Sequence, residues 1–459
     1  MNIIITLLFI LIINISTFAQ VVTKFAVIGD YGKAGTNELN VSNLVKSWNP
    51  EFVITVGDNN YELGEQITID ANIGQYYRQF IFPYTGGYGT GDTVNRFFPS
   101  LGNHDWYAVN ATPYLNYFSL PGNERYYDFV KGNIHFFVVD SDPNEPDGVD
   151  SNSVQGNWLK NSLAASSQKY NLVYFHHPPY SSGQHGNNPY MNWPFKKWGA
   201  DAVLCGHDHT YERIILNEFP YIINGLGGKS LYTFNTPVAG SVVRYNSNYG
   251  AMLVNSYADS VVFKFYSVTP TLRDNFKILP AKKNLLLTSL IEGFYDSGSG
   301  LSVMDTIKVL LRKTVSPYEA VDSAKVFMSA SGTGTFEFNK ALNSTPYYLV
   351  VKHRNSIETW SYSGNSFSAN NLSYNFTVSA SRAYGNNLKL KVSKYCIYSG
   401  DVNQDGIIDG GDLSAVDNDV LFSATGYINT DLTGDNFTDV NDLSIVDNNS
   451  TYSVSVVRP

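Results

Sequence analysis

Short apolar runs recur through the first half of the chain, and glycine or polar residues follow each run at once. Four of these runs lie at residues 25–28, 52–56, 172–175 and 202–205. Runs of this length, rich in β-branched and apolar residues, are typical of strands buried on both faces. Candidate helices lie between some of them, at residues 37–48 and 157–166. This alternation predicts an α/β layered fold, in which ligands gather at the carboxyl ends of the strands.

Five polar motifs carry the chemistry, and at least four of them directly follow a predicted strand. They supply two carboxylates, one phenol, one amide and three or four imidazoles. Such mixed oxygen and nitrogen donors suit a pair of iron, manganese or zinc ions rather than a thiolate site. In chain order the motifs are Gly29-Asp30-Tyr31-Gly32, Gly57-Asp58-Asn59-Asn60-Tyr61, Gly102-Asn103-His104-Asp105, His176-His177-Pro178-Pro179 and Gly206-His207-Asp208-His209.

The ordered set resembles the motifs of the purple acid phosphatases, which are calcineurin-like metallophosphoesterases. The matching patterns are Asp-x-Gly, Gly-Asp-x-x-Tyr, Gly-Asn-His-Asp, a strand that ends in His, and Gly-His-x-His. Each pattern alone is weak evidence, but five in the right order are specific. The resemblance covers residues 24–270 and is closest to the small, tartrate-resistant type. It implies a four-layer β-sandwich flanked by helices.

The resemblance also implies how two metal ions are held. One ion would take Asp30, Tyr61 and His209, the second would take Asn103, His176 and His207, and Asp58 would bridge them. A phenolate favours a trivalent ion, so we expect Fe(III) on the Tyr61 side. The neutral amide and the imidazoles fit a divalent Fe, Zn or Mn ion. Two metals roughly 3.5–4 Å apart can activate water and clamp the oxygens of a phosphoryl transfer.

Three further residues are candidates for catalysis. His104 follows the metal-binding Asn103 and is placed to hydrogen-bond the phosphate or the leaving oxygen, with Asp105 orienting its imidazole. His185 matches a substrate-side histidine of the small family members, and a solvated loop histidine is the alternative. His177 also fits the His-x-Pro pattern, but the spacing to His185 favours His176 as the ligand.

These features predict a secreted acid phosphatase that hydrolyses phosphate monoesters by attack of a metal-bound hydroxide. A phosphodiesterase or nucleotidase on the same scaffold is the alternative within the enzyme class. A surface-binding protein whose enzyme domain has decayed is the alternative outside it. Decay usually removes metal ligands, and the presence of all seven favours activity.

Length and the N-terminus set the organisation of the chain. Its 459 residues predict two to four domains. Residues 1–19 read as a signal peptide, with an apolar stretch followed by small residues, and therefore indicate secretion. A retained anchor is the alternative, but the apolar stretch is short for a bilayer, and no other segment could span one. Cys205 and Cys396 are not expected to pair.

The chain changes character after the predicted catalytic domain at residues 20–277. Short β-rich runs dominate residues 278–395 and predict a β-sandwich accessory module, which acts by default as a spacer or binding module. Residues 396–459 contain two copies of an acidic loop at an offset of 30 residues. The loops are followed by helical segments, which predicts a small α-helical repeat module.

The acidic repeat has the donor spacing of an EF-hand-type calcium loop and resembles dockerin type I modules. Asn436 replaces the glycine of the first copy at the sharp turn, which makes the second loop the weaker site. A cohesin-like receptor module or an intramolecular neighbour would be the partner of this tail. The oxygen donors are Asp401, Asn403, Asp405, Asp409 and Asp412 in the first copy and Asp431, Thr433, Asp435, Asp439 and Asp442 in the second.

Charge supports a separate role for the tail. From Tyr395 onward the chain has eleven Asp, no Glu or Lys and one Arg, a net charge of −10, whereas the whole chain carries −9. The acidity therefore belongs to the tail, where calcium would neutralise it. The rest of the chain is nearly neutral, and it has no basic stripe that would indicate nucleic acid binding.

Overall fold

The computed structural model describes residues 20–459, so the predicted signal peptide at residues 1–19 lies outside the described residues. The first thirteen strands are β1 (Thr23–Ile28), β2 (Phe52–Thr55), β3 (Phe97–Pro99), β4 (Tyr127–Lys131), β5 (Ile134–Val138), β6 (Tyr170–Tyr174), β7 (Ala202–Cys205), β8 (Tyr211–Leu216), β9 (Phe219–Asn224), β10 (Ser241–Tyr245), β11 (Gly250–Ser256), β12 (Val261–Ser267) and β13 (Thr271–Ile278). The predicted runs at 25–28, 52–56, 172–175 and 202–205 are confirmed as β1, β2, β6 and β7.

Seven helices accompany these strands. They are α1 (Thr36–Ser47), α2 (Gln66–Ile69), α3 (Gln75–Tyr77), α4 (Asn103–Trp106), α5 (Thr112–Tyr117), α6 (Val154–Ala165) and α7 (Phe195–Trp198). The helices predicted at 37–48 and 157–166 are confirmed as α1 and α6. Single turns of 3₁₀ or π helix lie at Asp70–Gly74, Arg78–Phe80, Val109–Ala111 and Pro189–Met191.

Two sheets face each other across the main core. The first has the order β13-β12-β11-β1-β2-β3 and the second β10-β8-β9-β7-β6-β5-β4. Phe25 and Phe52 of the first sheet meet Phe136 of the second edge to face, with ring centroids 5.1 and 5.5 Å apart. Burial of these aromatic rings contributes to the packing of the two sheets.

Strand β6 shows why the strand runs are apolar throughout. Leu172 and Tyr174 point into the core between the sheets. Val173 points to the opposite face, where it packs with Leu163 of α6 and Phe195 of α7. Because both faces of the strand are covered, alternation of apolar and polar residues is absent. The predicted α/β fold is confirmed.

A second, β-rich region follows, as predicted. Its strands are β14 (Lys283–Thr288), β15 (Tyr295–Asp296), β16 (Leu301–Ser302), β17 (Thr306–Lys313), β18 (Ala320–Phe327), β19 (Thr333–Phe338), β20 (Pro346–His353), β21 (Ser356–Trp360), β22 (Asn365–Ser366), β23 (Asn371–Asn375), β24 (Lys389–Lys391) and β25 (Lys394–Cys396). The two larger sheets run β19-β14-β23 and β18-β17-β20-β21, and β22 pairs with β20. Their inner faces share one apolar cluster that includes Leu287, Val309 and Leu349.

The acidic tail folds onto this β-rich region. Its two helices are α8 (Gly410–Leu421) and α9 (Val440–Thr451). Leu432 and Val446 of the tail are fully buried in the same cluster as Leu287. Asn355 Nδ2 donates a hydrogen bond of 2.7 Å to the carbonyl oxygen of Asp431, and Asn449 Nδ2 donates one of 2.7 Å to Glu292 Oε2. Tail and β-rich region are therefore stabilised together.

Among residues 20–459, no helix combines the length and apolarity needed to cross a membrane. Cys205 ends β7 and Cys396 ends β25, and both thiols are buried and unpaired.

Glu38 on α1 is a buried acid without a partner. Its side chain is fully buried, and neither carboxylate oxygen has a hydrogen-bond partner in the described residues. Burial raises the pKa of Glu38 well above its usual range, against a smaller lowering by Lys46. The folded state therefore holds this proton more tightly than the unfolded state, and stability is lost as the pH rises above about 4.3, the ordinary pKa of Glu.

We expect Glu38→Gln to remove this pH dependence. Between pH 5 and 8, the free energy of unfolding of the wild type should fall relative to that of the variant by up to about 1.4 kcal/mol per pH unit. Urea denaturation across this range measures it. Glu218→Gln is the control, because that side chain is 94% exposed. Parallel pH curves for wild type and Glu38→Gln would contradict the prediction.

Candidate metal centre

The sheet geometry brings the five motifs together. In the first sheet β1 runs parallel to β2 and β2 to β3. In the second sheet β6 runs parallel to β7. The loops after these strands meet where the two sheets face each other. Asp30, Asp58 and His207 adopt left-handed backbone with φ of 54°, 54° and 70°. Such conformations are uncommon outside glycine and often occur at functional sites.

Two motif glycines are required by close approach. A Cβ atom on Gly57 would lie 2.5 Å from Nδ1 of His176, and one on Gly102 would lie 2.3 Å from Oδ1 of Asp58. Any side chain at either position would push a predicted ligand out of place. The glycines of the second and third motifs therefore allow the ligand loops to touch.

One group of predicted ligands surrounds the hydroxyl of Tyr61. This oxygen lies 3.2 Å from Asp30 Oδ1, 2.8 Å from Asp58 Oδ2 and 3.1 Å from His209 Nε2. His209 Nε2 also lies 3.3 Å from Asp30 Oδ1. All four side chains are buried. The structure thus brings together the three residues predicted for one ion and the predicted bridge.

The second group surrounds Nε2 of His176. This nitrogen lies 3.2 Å from Asn103 Oδ1, 3.2 Å from His207 Nδ1 and 3.3 Å from Asp58 Oδ2. The same carboxylate oxygen of Asp58 therefore faces both groups, as expected of a bridging ligand.

The donor set fits positively charged ions. Nδ1 of His176 faces the carbonyl oxygen of Val56 at 2.8 Å, so its N–H points there and Nε2 is left facing three acceptors. Burial lowers the pKa of His176, but the carboxylate of Asp58 outweighs it and raises the pKa to about 10. The surroundings therefore stabilise positive charge at this point. Oxygen and imidazole donors around such a point suit iron, zinc or manganese.

His177 was the alternative ligand in the sequence, and the structure gives it a different place. Its Nδ1 lies 3.0 Å from Ser141 Oγ, and its backbone N–H donates to the same oxygen at 2.9 Å. Its ligand nitrogen is nevertheless within 4.8 Å of those of His176 and His207. Burial lowers its pKa to about 3, so it stays neutral. His176 has the contacts to Asp58 and Asn103, while His177 borders the second group.

His104 lies at the open edge of the centre. Its backbone N–H donates to Asp58 Oδ1 at 3.0 Å, and its Nε2 is 4.0 Å from Asp58 Oδ2. The ring lies 4.3 Å from the ring of Tyr61, and the side chain is 23% exposed. It can reach a molecule bound at the centre from the solvent side.

The role predicted for Asp105 is not the one that the structure shows. Its carboxylate accepts hydrogen bonds from the backbone N–H of Gly102 at 2.9 Å and from the N–H and side-chain amide of Asn59 at 3.2 and 2.9 Å. Nδ1 of His104 instead faces the carbonyl oxygen of Glu62 at 2.5 Å. Asp105 points inward because the short helix α4 turns it away from its neighbour, so it fixes two ligand loops rather than the imidazole.

His185 lies at the rim on the side of the second group. Its exposed ring stacks on the ring of His207 at 4.2 Å, and its backbone N–H donates to Asp208 Oδ1 at 2.8 Å. The structure therefore places it beside a predicted ligand, and its catalytic role stays a prediction.

The sequence did not identify the residues that orient the ligands. Ser230 Oγ lies 2.6 Å from Nδ1 of His209, and the ring of Tyr232 stacks on His209 at 4.0 Å and 8°. Both follow β9: Ser230 ends a Gly-Gly-Lys-Ser segment and Tyr232 lies two residues later, in a stretch that carries no motif of its own. Their position after a buried strand was the only available signal.

Comparisons with known proteins find one matching family and several distant relatives. Residues 23–211 match the family described as Calcineurin-like phosphoesterase. Human tartrate-resistant acid phosphatase type 5 is 24% identical over 245 residues, which cover 44% of this chain and 72% of that protein. Purple acid phosphatase 17 of Arabidopsis thaliana is 26% identical over 240 residues, covering 45% and 69%. The structure of purple acid phosphatase PPD1 from yellow lupin aligns with a TM-score of 0.47 at 17% identity, covering 57% of this chain and 54% of that one.

The chain therefore contains a calcineurin-like metallophosphoesterase domain with purple and tartrate-resistant acid phosphatases as distant relatives. It is a hydrolase acting on phosphoric ester bonds, as predicted. The domain and these relatives indicate metal dependence, and the purple acid phosphatases among them indicate iron.

We expect Asp105→Ala to act mainly on stability. The substitution leaves three buried N–H donors unpaired and should lower the free energy of unfolding by about 2–4 kcal/mol. Urea denaturation of Asp105→Ala, with His104→Ala as the comparison, measures this loss of stability. His104 is partly exposed, so its removal should change stability little. If Asp105→Ala keeps wild-type stability and loses turnover as His104→Ala does, the carboxylate acts on the imidazole after all.

Proposed function

We propose that this chain is a secreted acid phosphatase that hydrolyses phosphate monoesters at a pair of metal ions. The observation that carries the proposal is the shared oxygen of Asp58, 2.8 Å from the hydroxyl of Tyr61 and 3.3 Å from Nε2 of His176. Two ligand groups that meet at one carboxylate are the arrangement a metal pair needs. Secretion is inferred from the signal-peptide pattern of residues 1–19.

The two groups differ in charge, which supports a different ion in each. Asp30 and the phenolate that Tyr61 would form on binding an ion are hard anionic donors, so Fe(III) is proposed there. When they bind an ion, Asn103, His176 and His207 donate as neutral groups, with Nε2 of His176 deprotonated, and they suit a divalent Fe, Zn or Mn ion. When bound, the pair supplies an activated water and holds the phosphoryl oxygens.

Proton donation and binding of the phosphate are assigned to side chains of the protein. The carbonyl oxygen of Glu62 holds Nδ1 of His104, which leaves Nε2 as the nitrogen that faces the centre and the solvent. As an imidazolium, His104 would donate its Nε2 proton to the departing oxygen of the ester. His185, stacked on His207, would hydrogen-bond the phosphate from the other side.

We expect His104→Ala to lower kcat for phenyl phosphate by about two orders of magnitude, the scale of a lost general acid. The metal content of the variant should stay at the wild-type value of about two ions per chain. His135→Ala is the control, since His135 is engaged with Asp128 and Ser166 on another part of the second sheet.

The same assay separates the alternatives. Phenyl phosphate should be a better substrate than diphenyl phosphate or a nucleoside monophosphate. Preference for the diester or the nucleotide would replace the phosphatase proposal by a phosphodiesterase or a nucleotidase. Loss of metal from His104→Ala would make that residue a ligand, and an inactive, metal-free wild type would leave only a surface-binding protein.

We also propose that the acidic tail binds calcium in its two loops. Part of the acidic pattern has another use, because Asp409 and Asp412 cap α8, and Asp439 and Asp442 cap α9. Helix capping does not account for Asp401 Oδ1 in the first loop or Thr433 Oγ1 in the second, which are buried without any hydrogen-bond partner. A cation in each loop would satisfy both atoms.

The two loops differ in their surroundings. Arg354 Nη2 lies 3.6 Å from Asp431 Oδ2, so the first ligand position of the second loop already has a positive neighbour. Asp401 has no ion pair among the described residues, and burial raises its pKa to about 6. Arg354 repels a calcium ion at the second loop, which supports tighter binding at the first.

The packing of the tail supports one of its two proposed partners. Its contacts with the β-rich region support the intramolecular alternative, since Tyr427 OH also donates to Asp305 Oδ1 at 2.6 Å. The exposed residues of α8 and α9, such as Leu421 and Val440, stay free for a cohesin-like module on the cell surface.

Calorimetric titration of the full chain with calcium should resolve two sites. We expect Asp401→Ala with Asp412→Ala to abolish the tighter site, and Arg354→Gln to tighten the weaker one several-fold, because a positive charge beside it is removed. Phosphatase activity should change little in either variant. Two sites of equal affinity, or no effect of Arg354→Gln, would contradict the assignment of the tighter site to the first loop. Absence of any heat of calcium binding would mean that the loops only cap the helices.

A further inference from the structure

Asn103 is the only amide among the seven predicted ligands, and an amide must be oriented correctly to bind a cation. Its Oδ1 is an acceptor and its Nδ2 carries two hydrogens, so only the oxygen can donate an electron pair to an ion. Oδ1 lies 3.2 Å from Nε2 of His176 and therefore faces the second group. The contact made by Nδ2 decides how firmly this orientation is held.

The hydroxyl of Tyr107 meets the other end of the amide. Asn103 Nδ2 donates a hydrogen bond to the hydroxyl oxygen of Tyr107 at 3.3 Å. Asn103 is the first residue of α4 and Tyr107 its C-cap, and the backbone N–H of Tyr107 donates to the carbonyl oxygen of Asn103 at 3.2 Å. Side chains four positions apart on a helical turn lie on the same face. The turn itself therefore brings the hydroxyl to the amide.

The backbone of this turn is anchored on both sides. The carboxylate of Asp105 accepts from the N–H of Gly102 at 2.9 Å, and Trp106 Nε1 donates to Asp140 Oδ2 at 2.8 Å. Both carboxylates are buried. Because α4 is held in place, the freedom left to Asn103 is rotation of its side chain, and the hydrogen bond to Tyr107 limits that rotation.

Core packing does not explain the hydroxyl of Tyr107. The side chain is 57% exposed. Its ring meets the ring of His104 at a steep angle, with centroids 4.9 Å apart and planes inclined by 72°. A phenylalanine ring would make the same contact with His104. The hydroxyl is needed only for its bond to the amide.

A hydrogen bond at Nδ2 also changes the oxygen at the other end of the amide. The N–H and C=O groups share one π system, so donation by the N–H increases the negative charge on Oδ1. A ligand whose outer atoms are hydrogen-bonded in this way is better oriented and binds its ion more tightly.

We propose that Tyr107 is a positioning residue for the amide ligand of the second ion. Its hydroxyl holds Asn103 with Oδ1 towards the centre and strengthens that oxygen as a donor. The proposal rests on the proposed function of the metal centre, and it adds a residue outside the five motifs that sets the affinity for one of the two ions.

The test is the affinity for the second ion in Tyr107→Phe, which removes the hydroxyl and keeps the ring beside His104. The protein is loaded with Fe(III) alone and then titrated with zinc chloride in a calorimeter. The dissociation constant for zinc should rise by about tenfold, the lower end of the effect of losing such a contact. The Tyr61–Fe(III) absorption should stay at the wild-type value, because the hydroxyl bonds to a ligand of the second group. Tyr362→Phe is the matched control, since that side chain is 58% exposed and lies in the β-rich region.

Asn103→Asp shows whether the hydroxyl acts through the amide. A carboxylate has no N–H, so the hydroxyl of Tyr107 must donate to it, which draws negative charge away from the ligand oxygens. Loss of the hydroxyl in the Asn103→Asp background should therefore leave the zinc affinity unchanged or raise it. A similar loss of affinity in both backgrounds would overturn the proposal, because the hydroxyl would then act elsewhere.

Turnover gives a separate readout. With limiting zinc, Tyr107→Phe should hydrolyse phenyl phosphate more slowly than the wild type, and saturating zinc should restore kcat. A kcat that stays low at saturating zinc, with unchanged zinc affinity, would overturn the proposal and assign the hydroxyl to the reaction itself.

The outcomes separate this inference from the function beneath it. If the wild type binds neither iron nor zinc at the centre, the proposed function fails. If the wild type binds both ions and hydrolyses phenyl phosphate, but Tyr107→Phe binds zinc equally tightly, only the role of Tyr107 is overturned.

Discussion

The structure depends on two buried carboxylates held close to one hydroxyl. Asp30 and Asp58 lie at the ends of neighbouring parallel strands, and both reach the oxygen of Tyr61 within 3.2 Å. Buried charges of the same sign cost several kcal/mol each unless positive charge compensates them. Four further side chains complete the arrangement around them. The fold therefore specifies a place for cations, and the chemistry of the enzyme follows from that requirement.

The two facing sheets make this arrangement rigid. The aromatic core fixes the positions of the strands. The loops after β1, β2, β6 and β7 start from these fixed positions. Glycines let the loops approach to contact distance, and Asp105 joins the second and third motifs through Asn59 and Gly102. Exposed side chains such as His185 and Lys33 lie outside this fixed set. In the proposed function, binding of the ions is thus separated in space from recognition of the substrate.

The sequence predicted what depends on local pattern. Strands covered on both faces appear as continuous apolar runs, and the motifs after them could be read as ligands because their order resembles a known set. Contacts between distant segments leave no such pattern. Lys229 meets Glu62 across 167 positions, Asp105 turns towards Asn59 instead of its neighbour, and Leu432 enters the core of the β-rich region. Each depends on packing that only the folded chain defines.

The central claim is that Tyr61 and Asp58 join two ions in one centre. The most direct measurement is the visible absorption spectrum of the iron-loaded protein together with its metal content. A Tyr61–Fe(III) charge-transfer band should appear with about two ions per chain, and Tyr61→Phe should abolish the band. An iron-loaded protein that is colourless, or whose spectrum is the same in Tyr61→Phe, would contradict the account.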